Sequence, residues 1–434
     1  MQQVNLGIIG GGTVGGGVFD ALRLNGGLLA SRIGVNLSIV RVAVRDLKKK
    51  RGTAIPKNFL TSDWREVVCD PEVNLVAELI GGITVAREVV LTALKLGKPV
   101  VTANKALLSA HGEELFAAAQ KYGTNLYYEA SVAGGIPIIK SLREGFVGNR
   151  INALYGIVNG TCNYILTRMK LEGADFGAVL ADAQRLGYAE TPPDLDIDGH
   201  DAAHKIGILA SLSHGFWVRP KDVHVEGIRH ISALDIKFAG ELGYTIKLLG
   251  MVKKLESGCR VQVSVYPTLV PNSHVLASVN GVFNACFVRG DIVGDALFYG
   301  RGAGKDATAS AVLSDLADAA LDLKFGTKHR LPPFVPHECS GAVVPIEEVV
   351  SQYFVRLNVV DKPGVLAKIA TIFGESNIGI SSVIQPEGHE GESVPLIFML
   401  HYATNGAAMK ALAKIAKLPA VKGKPVMIRV ESFA

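Results

Sequence analysis

Cysteine is scarce in this 434-residue chain. The five present (Cys69, Cys162, Cys259, Cys286, Cys339) are odd in number, scattered and never in a C-x-x-C pair, which excludes a disulfide framework and a zinc knuckle. Long apolar runs are also missing. The longest uncharged apolar stretch, Leu6 to Phe19, is half glycine and falls short of the ~20 residues that span a bilayer, so no membrane partner is expected. Charge of one sign is lacking too: 45 Lys and Arg face 40 Asp and Glu, a net +5 without long basic tracts. That argues against a nucleic-acid partner and suits a small anionic ligand. The opening Met1-Gln2-Gln3-Val4 carries no positively charged leader, so a cytoplasmic location is expected.

Glycine, by contrast, is in excess. There are 48, about 11% against about 7% on average, and a hydrophobic content of 48% excludes disorder as the reason. The length predicts two to three domains. Strand-length apolar runs at Val4–Ile9, Ser38–Val44, Leu75–Leu79, Val100–Ala103 and Leu126–Glu129 alternate with helical patterns such as Thr84–Leu96 and Ala106–Tyr122, the rhythm of parallel βαβ units. The fold class expected is therefore α/β, with a Rossmann-type doubly wound parallel sheet over residues 1–140 and a helix near 305–325 returning to it. From about Ser141 long helices (Asn163–Glu172, Gly177–Leu186, Ala202–His214) and then strands such as Arg260–Val265 mark an α+β domain over 141–330. The proline cluster Pro332-Pro333-Phe334-Val335-Pro336 predicts a linker over 331–350. Residues 351–434 then read as a βαββαβ, ferredoxin-like module.

Three constellations carry chemistry. Gly10-Gly11-Gly12-Thr13-Val14-Gly15 satisfies G-x-G-x-x-G directly after a strand and at a helix start. Gly10 permits the tight turn, Gly12 lets a pyrophosphate approach, Gly15 lets helix and strand pack, and Thr13 and Val14 lie at the helix N-terminus that receives the phosphates. A ligand-free glycine turn is the bland alternative. After the second strand comes Arg45, where an acidic residue would hold a ribose 2′-hydroxyl. Arginine accepts a 2′-phosphate, so NADP(H) is favoured over NAD(H), although Asp46 follows.

The second is the acidic stretch from Glu190 to Lys205. Asp194, Asp196, Asp198 and Gly199 match the start of a calcium loop, but its twelfth position, normally glutamate, is Lys205. His200 and His204 could share a helix face, without a third metal ligand at suitable spacing. In the third reading Asp201 and Lys205 form an i,i+4 pair in which the lysine exchanges a proton with a substrate, while Glu190 and Asp196 bind an ammonium group or place water. An ordinary surface ion pair is the alternative. The third constellation, Val101-Thr102-Ala103-Asn104-Lys105, puts a lysine at the carboxyl end of a sheet strand, where such sheets bind ligands. Asn159-Gly160-Thr161-Cys162-Asn163 opens a helix and could offer N–H groups or merely begin it.

These residues resemble homoserine dehydrogenase, in the monofunctional form with a C-terminal ACT domain, over essentially the whole chain. The most specific match is Ala183, Gly187-Tyr188-Ala189-Glu190, Asp194, Asp196, Gly199, Asp201 and Lys205; Pro192-Pro193 stands where family members commonly have Asp-Pro. The resemblance implies NAD(P)-dependent interconversion of L-aspartate 4-semialdehyde and L-homoserine, in threonine, methionine and isoleucine biosynthesis. It implies Lys205 as proton donor and acceptor, Glu190 and Asp201 binding substrate, Lys105 touching substrate and cofactor, and Gly187 and Gly304 lining the nucleotide site. It also implies a structural sodium ion held by Glu129 and the carbonyls of Val132, Gly134 and Ile136. In the substrate domain it implies a dimerisation surface, so a homodimer or homotetramer is expected. Asp361-Lys362-Pro363-Gly364-Val365-Leu366 and Asn377-Ile378 are similar to an ACT domain, with L-threonine as the implied effector.

Overall fold

The computed structural model describes residues 1–255, 260–328, 341–386 and 392–433. The proline cluster, Cys259 and Cys339 lie outside them. The chain forms two compact units, one of Met1–Val158, His204–Lys221 and Phe283–Gly341, the other of Asn159–Ala203, Asp222–Val282 and Ala342–Ala434.

The first unit is built on a six-stranded parallel sheet. Its spatial order is Leu60–Thr61, Val35–Ala43, Gln2–Ile9, Leu75–Glu78, Val100–Thr102 and Leu126–Tyr127. The chain starts in the middle, winds to one edge and then to the other, leaving a switch point at the carboxyl ends of Gln2–Ile9 and Leu75–Glu78. Leu6, Ile8, Leu75, Ala77 and Val101 are buried, as expected of strands covered on both faces. The helix Thr13–Ile33 packs against Lys305–Phe325, which returns from late in the chain. Lys305 Nζ donates to Asp20 Oδ2 at 2.6 Å across that seam. Three antiparallel strands, Gly294–Arg301, Phe283–Gly290 and Ile151–Ile157, complete this unit's sheet structure.

In the second unit Tyr244–Lys254 and Arg260–Pro271 pair antiparallel, and Thr268 and Leu269 pair in parallel with Arg429 and Val430. The last strand, Val421–Val430, then pairs with Val350–Val360, that with Ser393–Thr404, and that with Ile380–Ile384. With the helices Val365–Glu375 and Asn405–Ile415 between them, the strands run βαββαβ along the chain. The alternating Tyr353, Val355, Leu357 and Val359 are all buried, and pack with Ile369, Phe373, Ala411 and Ile415 from the two helices. A period of two on the strand and of three to four on the helices brings those faces together. Within the region expected as a linker, Ala342–Val343 adds a short parallel strand beside Arg260–Val261, and Ile346–Glu348 is a 3-10 turn.

Candidate functional site

The glycine-rich turn has three different surroundings. At Gly10 (φ +112°) a Cβ would sit 2.5 Å from the Leu79 carbonyl oxygen, and at Gly15 it would sit 1.8 Å from that of Gly10. At Gly12, the N-cap of Thr13–Ile33, a Cβ would meet no atom of the other described residues within 4 Å beyond its immediate chain neighbours, and the first turn carries no acidic side chain. Open space against unopposed N–H groups is a fitting cradle for a dinucleotide pyrophosphate. Arg45 is exposed just beyond the second strand, while the nearby Arg51, not singled out by sequence reasoning, reaches the turn. Its guanidinium bonds to the Asp46 and Lys49 carbonyls, and Nε lies 3.6 Å from where a Gly11 Cβ would be. Gly304 is the N-cap of Lys305–Phe325 with φ +117°, and Gly187, in the second unit, has φ +76° and no atom within 4 Å of a Cβ.

At the strand ends, Lys105 opens the helix Lys105–Lys121. Its predecessor Asn104 caps that helix, accepting from Leu107 N–H at 3.0 Å and donating to the Gly82 carbonyl at 2.7 Å. Glu78, fully buried at the end of its strand, accepts from Thr102 Oγ1 at 2.6 Å and from Ile80 N–H at 3.0 Å. Burial raises its pKa against those bonds. Sequence patterning hides it, because a carboxylate inside an apolar run has no periodic signal.

The acidic stretch divides its carboxylates between two partners. Arg229 forms ion pairs with both Asp194 and Asp198. Asp196 and Asp201 instead face Asn159, whose Nδ2 donates to Asp196 Oδ1 at 2.8 Å and to Asp201 Oδ2 at 2.9 Å. A calcium loop would aim positions one, three and five at one ion. Here an arginine sits between the first and third of those acids, which overturns that reading. Asp201 and Lys205 lie one turn apart on the helix His200–His214. Glu190 is exposed on the preceding segment, its carbonyl accepting from Gln184 at 3.3 Å.

Lys205 is buried, at 9% exposure, and Nζ donates to the Val158 carbonyl at 2.7 Å, just past the end of Ile151–Ile157. This is not the solvated lysine of a surface ion pair. Within the same unit the fields of Lys205 and Glu129 both reach the Cys286 thiol, which burial pushes up to about 12. Glu129 accepts from Ile139 N–H at 3.0 Å and Lys140 N–H at 2.7 Å, and its own N–H donates to Asp315 Oδ2 at 2.8 Å. After Val132 the chain turns through Ala133 and Gly134, both at φ +55°, with Gly134 pressed against Gly302. The Ile136 carbonyl accepts from Ile138 N–H at 2.8 Å.

A separate pocket of about 390 Å3 in the C-terminal module is lined by Val359, Asp361, Gly364, Leu366, Gln385 and Leu396 among others, with Gln385 Nε2 donating to Asp361 Oδ1 at 3.0 Å. Among the described residues no helix is long and apolar enough to cross a membrane, and no three His, Cys, Asp or Glu side chains group as a metal site.

Comparison with known proteins places these features in one family. Residues 10–129 match the family model for the homoserine dehydrogenase NAD binding domain, and residues 137–317 that for homoserine dehydrogenase. The homoserine dehydrogenase of Pseudomonas aeruginosa is 45% identical over 437 residues, covering 100% of both chains. A crystal structure of a homoserine dehydrogenase from Thiobacillus denitrificans is 44% identical, with a TM-score of 0.94 over 100% of this chain and 99% of that one. A hyperthermophilic archaeal homoserine dehydrogenase in complex with NADPH is 28% identical, with a TM-score of 0.63 over 74% of this chain and 98% of that one. The chain thus belongs to the homoserine dehydrogenases, NAD(P)-dependent oxidoreductases acting on a CH–OH group.

Proposed function

We propose that the chain interconverts L-aspartate 4-semialdehyde and L-homoserine, with NADP(H) favoured over NAD(H) and with Lys205 as the group that moves the proton. The observation that carries this reading is the buried Lys205 amine, held at 2.7 Å by a strand-end carbonyl one helical turn from Asp201. The bound nicotinamide supplies or takes the hydride at the carbonyl carbon. Lys205 gives a proton to the substrate oxygen in reduction and takes it back in oxidation, with Lys105 at the strand end as the second lysine facing substrate and cofactor. Asp196, Asp201 and Glu190 bind the substrate ammonium. Gly10, Gly12, Thr13, Val14 and Gly15 receive the pyrophosphate, Gly187 and Gly304 border the nucleotide, and Arg45 with Arg51 meets a 2′-phosphate. NADPH in the archaeal relative supports that preference. Lys205→Ala should lower kcat by about 10²–10⁴-fold, the usual range for a general acid–base, with NADPH binding retained; near-normal turnover would remove Lys205 from the mechanism. Higher kcat/KM with NADH than with NADPH would overturn the cofactor preference.

The functional domains in this reading are 1–140 with its returning helix, 141–330, a linker at 331–350 and an ACT module at 351–434. L-Threonine is its effector, supported by the pocket at Asp361–Leu366; unchanged rates at saturating threonine would sink this. The chain works as a homodimer or homotetramer in the cytoplasm, in the pathway to threonine, methionine and isoleucine. A sodium ion fits the Glu129 turn: Glu129 and Asp315 are buried acids whose pKa values are raised, and Asn284 Oδ1, packed on Gly302, is a buried acceptor with no donor among the described residues. Glu129 and the carbonyls of Val132, Gly134 and Ile136 would hold the ion, which would supply the missing positive charge.

A further inference from the structure

We propose that Glu78 is a positioning residue for hydride transfer: one buried carboxyl at a strand end ties the loop at residues 80–82 to the start of the helix that carries Lys105. This rests on the reading of Lys105 as a lysine facing substrate and cofactor. Glu78 follows Leu75, Val76 and Ala77 and is buried as completely as they are, so a fourth apolar side chain would cost the strand less to bury. What the acid adds is its hold on other segments. Oε1 accepts from Ile80 N–H at 3.0 Å, and Oε2 accepts at 2.6 Å from Oγ1 of Thr102, its register partner on the neighbouring strand. The Gly81 N–H and the Asn104 side chain also bond to the carboxyl. Thr102 Oγ1 in turn accepts from Asn104 N–H at 3.0 Å. Asn104 closes the ring, donating to the Gly82 carbonyl at 2.7 Å while it caps Lys105–Lys121.

The place of this ring in the sheet gives it a role. A dinucleotide with its pyrophosphate at Gly12 and its 2′-phosphate at Arg45 lies past Val35–Ala43, on one side of Gln2–Ile9. Its nicotinamide then falls on the other side, where Leu75–Glu78 ends. The loop stands there. Ile80 Cγ2 lies 3.0 Å from where a Gly10 Cβ would be, and Ile80 and Ile83 remain exposed, an apolar wall suited to one face of an aromatic ring. Between them Gly81 and Gly82, at φ +73° and +74°, give that wall little stiffness of its own. Glu78 supplies the stiffness from beneath, and the same bonds fix the first turn of the Lys105 helix. Wall and lysine are thereby set at one distance from each other, which a reaction between atoms about 3–3.5 Å apart requires.

Glu78→Met and Glu78→Gln test this. Both keep the length of the side chain, but methionine offers no oxygen, whereas glutamine still accepts from Ile80 N–H and turns its amide hydrogens toward Thr102 Oγ1. Both should melt near the wild type and bind NADPH normally, because the pyrophosphate and 2′-phosphate contacts lie elsewhere. Glu78→Met should lower kcat, and the single-turnover rate of NADPH oxidation by aspartate semialdehyde, by about 10²-fold, the cost of a misplacement near 1 Å, with a smaller change in KM. Glu78→Gln should recover about tenfold of that loss. Should the methionine variant not fold, Asn104→Ser reads the same tie: serine caps the helix but is too short to reach the Gly82 carbonyl, and kcat should fall about tenfold. A folded Glu78→Met or Asn104→Ser with kcat within twofold of wild type, or a Glu78→Gln as slow as Glu78→Met, would overturn the inference. Lys105→Ala is the control for the reading beneath it. If that variant turns over normally, the reading of Lys105 fails and the inference fails with it.

Discussion

Glu226 and Glu129 are glutamates withdrawn from water to different extents, the first 30% exposed at its side chain and the second 3% exposed, and their chemistry is opposite. For Glu226, burial by itself would raise the pKa, but His224 Nε2 at 2.7 Å and the Arg429 guanidinium at 2.8 and 3.0 Å outweigh it and bring the group down to about 2. For Glu129, burial wins. Backbone N–H groups oppose it, Arg143 and Lys140 act only through space, and the carboxyl is held at about 7. Depth adds to the difference, because Glu129 is the more deeply buried, but it does not set the sign for Glu226, whose partners outweigh its burial. What separates them is whether the fold delivers a bonded cation: Arg429, 1% exposed and stacked 4.2 Å from the Tyr266 ring, is committed to Glu226, whereas Glu129 faces a second acid, Asp315. Lys247 is the cationic mirror of Glu129. Buried among the Val279 carbonyl and the amide oxygens of Asn163 and Asn280, it is driven down to about 7 by burial, with Lys170 adding to the shift.

The largest effect should come from breaking the paired site. Arg429→Met removes the buried partner and leaves the part-exposed Glu226 with His224 alone, and should cost about 3 kcal/mol in urea unfolding, the low end for pairs that lose one buried partner. Adding Glu226→Gln should restore part of it. A cost below about 1 kcal/mol would mean water screens the pair as at a surface, and the contrast with Glu129 would collapse.

Acid should act next. The folded pKa of Glu226 lies below its ordinary value, so its contribution, on the order of 3 kcal/mol, is complete above about pH 4.5 and is lost as pH falls toward about 2. Wild type should therefore lose more stability than Glu226→Gln between pH 5 and pH 3; equal losses would refute the pairing. Glu129 has the opposite sign. Its proton is held more tightly in the fold, so its contribution is present below about 4.5 and is lost as pH rises through about 7. A cation from solution can offset that loss. The smallest effect follows: at pH 8, replacing sodium by choline chloride at equal ionic strength should lower the melting temperature by a few degrees, corresponding to roughly 1 kcal/mol, and Glu129→Gln should abolish the response. Identical melting in the two salts would argue against the sodium site.

What could be read in advance follows the distance along the chain over which each feature is built. The glycine turn spans six consecutive residues and the Asp201–Lys205 pair one helical turn, so both can be recognised from spacing. The βαββαβ order of the C-terminal module shows in its periodicities. Arg429 and Glu226, by contrast, are separated by 203 residues and meet because Thr268 registers with Arg429 in the sheet. Asn159 could be read as a helix start, but its side chain also donates to a carboxylate 42 residues away, which no local spacing announces. Arg51 is one of four consecutive cations, Lys48-Lys49-Lys50-Arg51, among which spacing gives it no distinction; only the folding of the loop brings its guanidinium toward Gly11.

The sequence by itself determined the elements and the local chemistry: which runs become strands and helices, where a phosphate can approach the backbone, and which lysine shares a helical turn with an aspartate. These depend on torsional preference and on periods of two and 3.6, which act over a few residues. Only the tertiary structure decided how the charges were shared. It put Arg229 on Asp194 and Asp198, an uncharged amide on Asp196 and Asp201, an arginine on Glu226 and a second acid beside Glu129. The physical reason is that a buried charge is governed by its nearest partners in space, and sheet register and helix packing, acting across hundreds of residues, choose those partners.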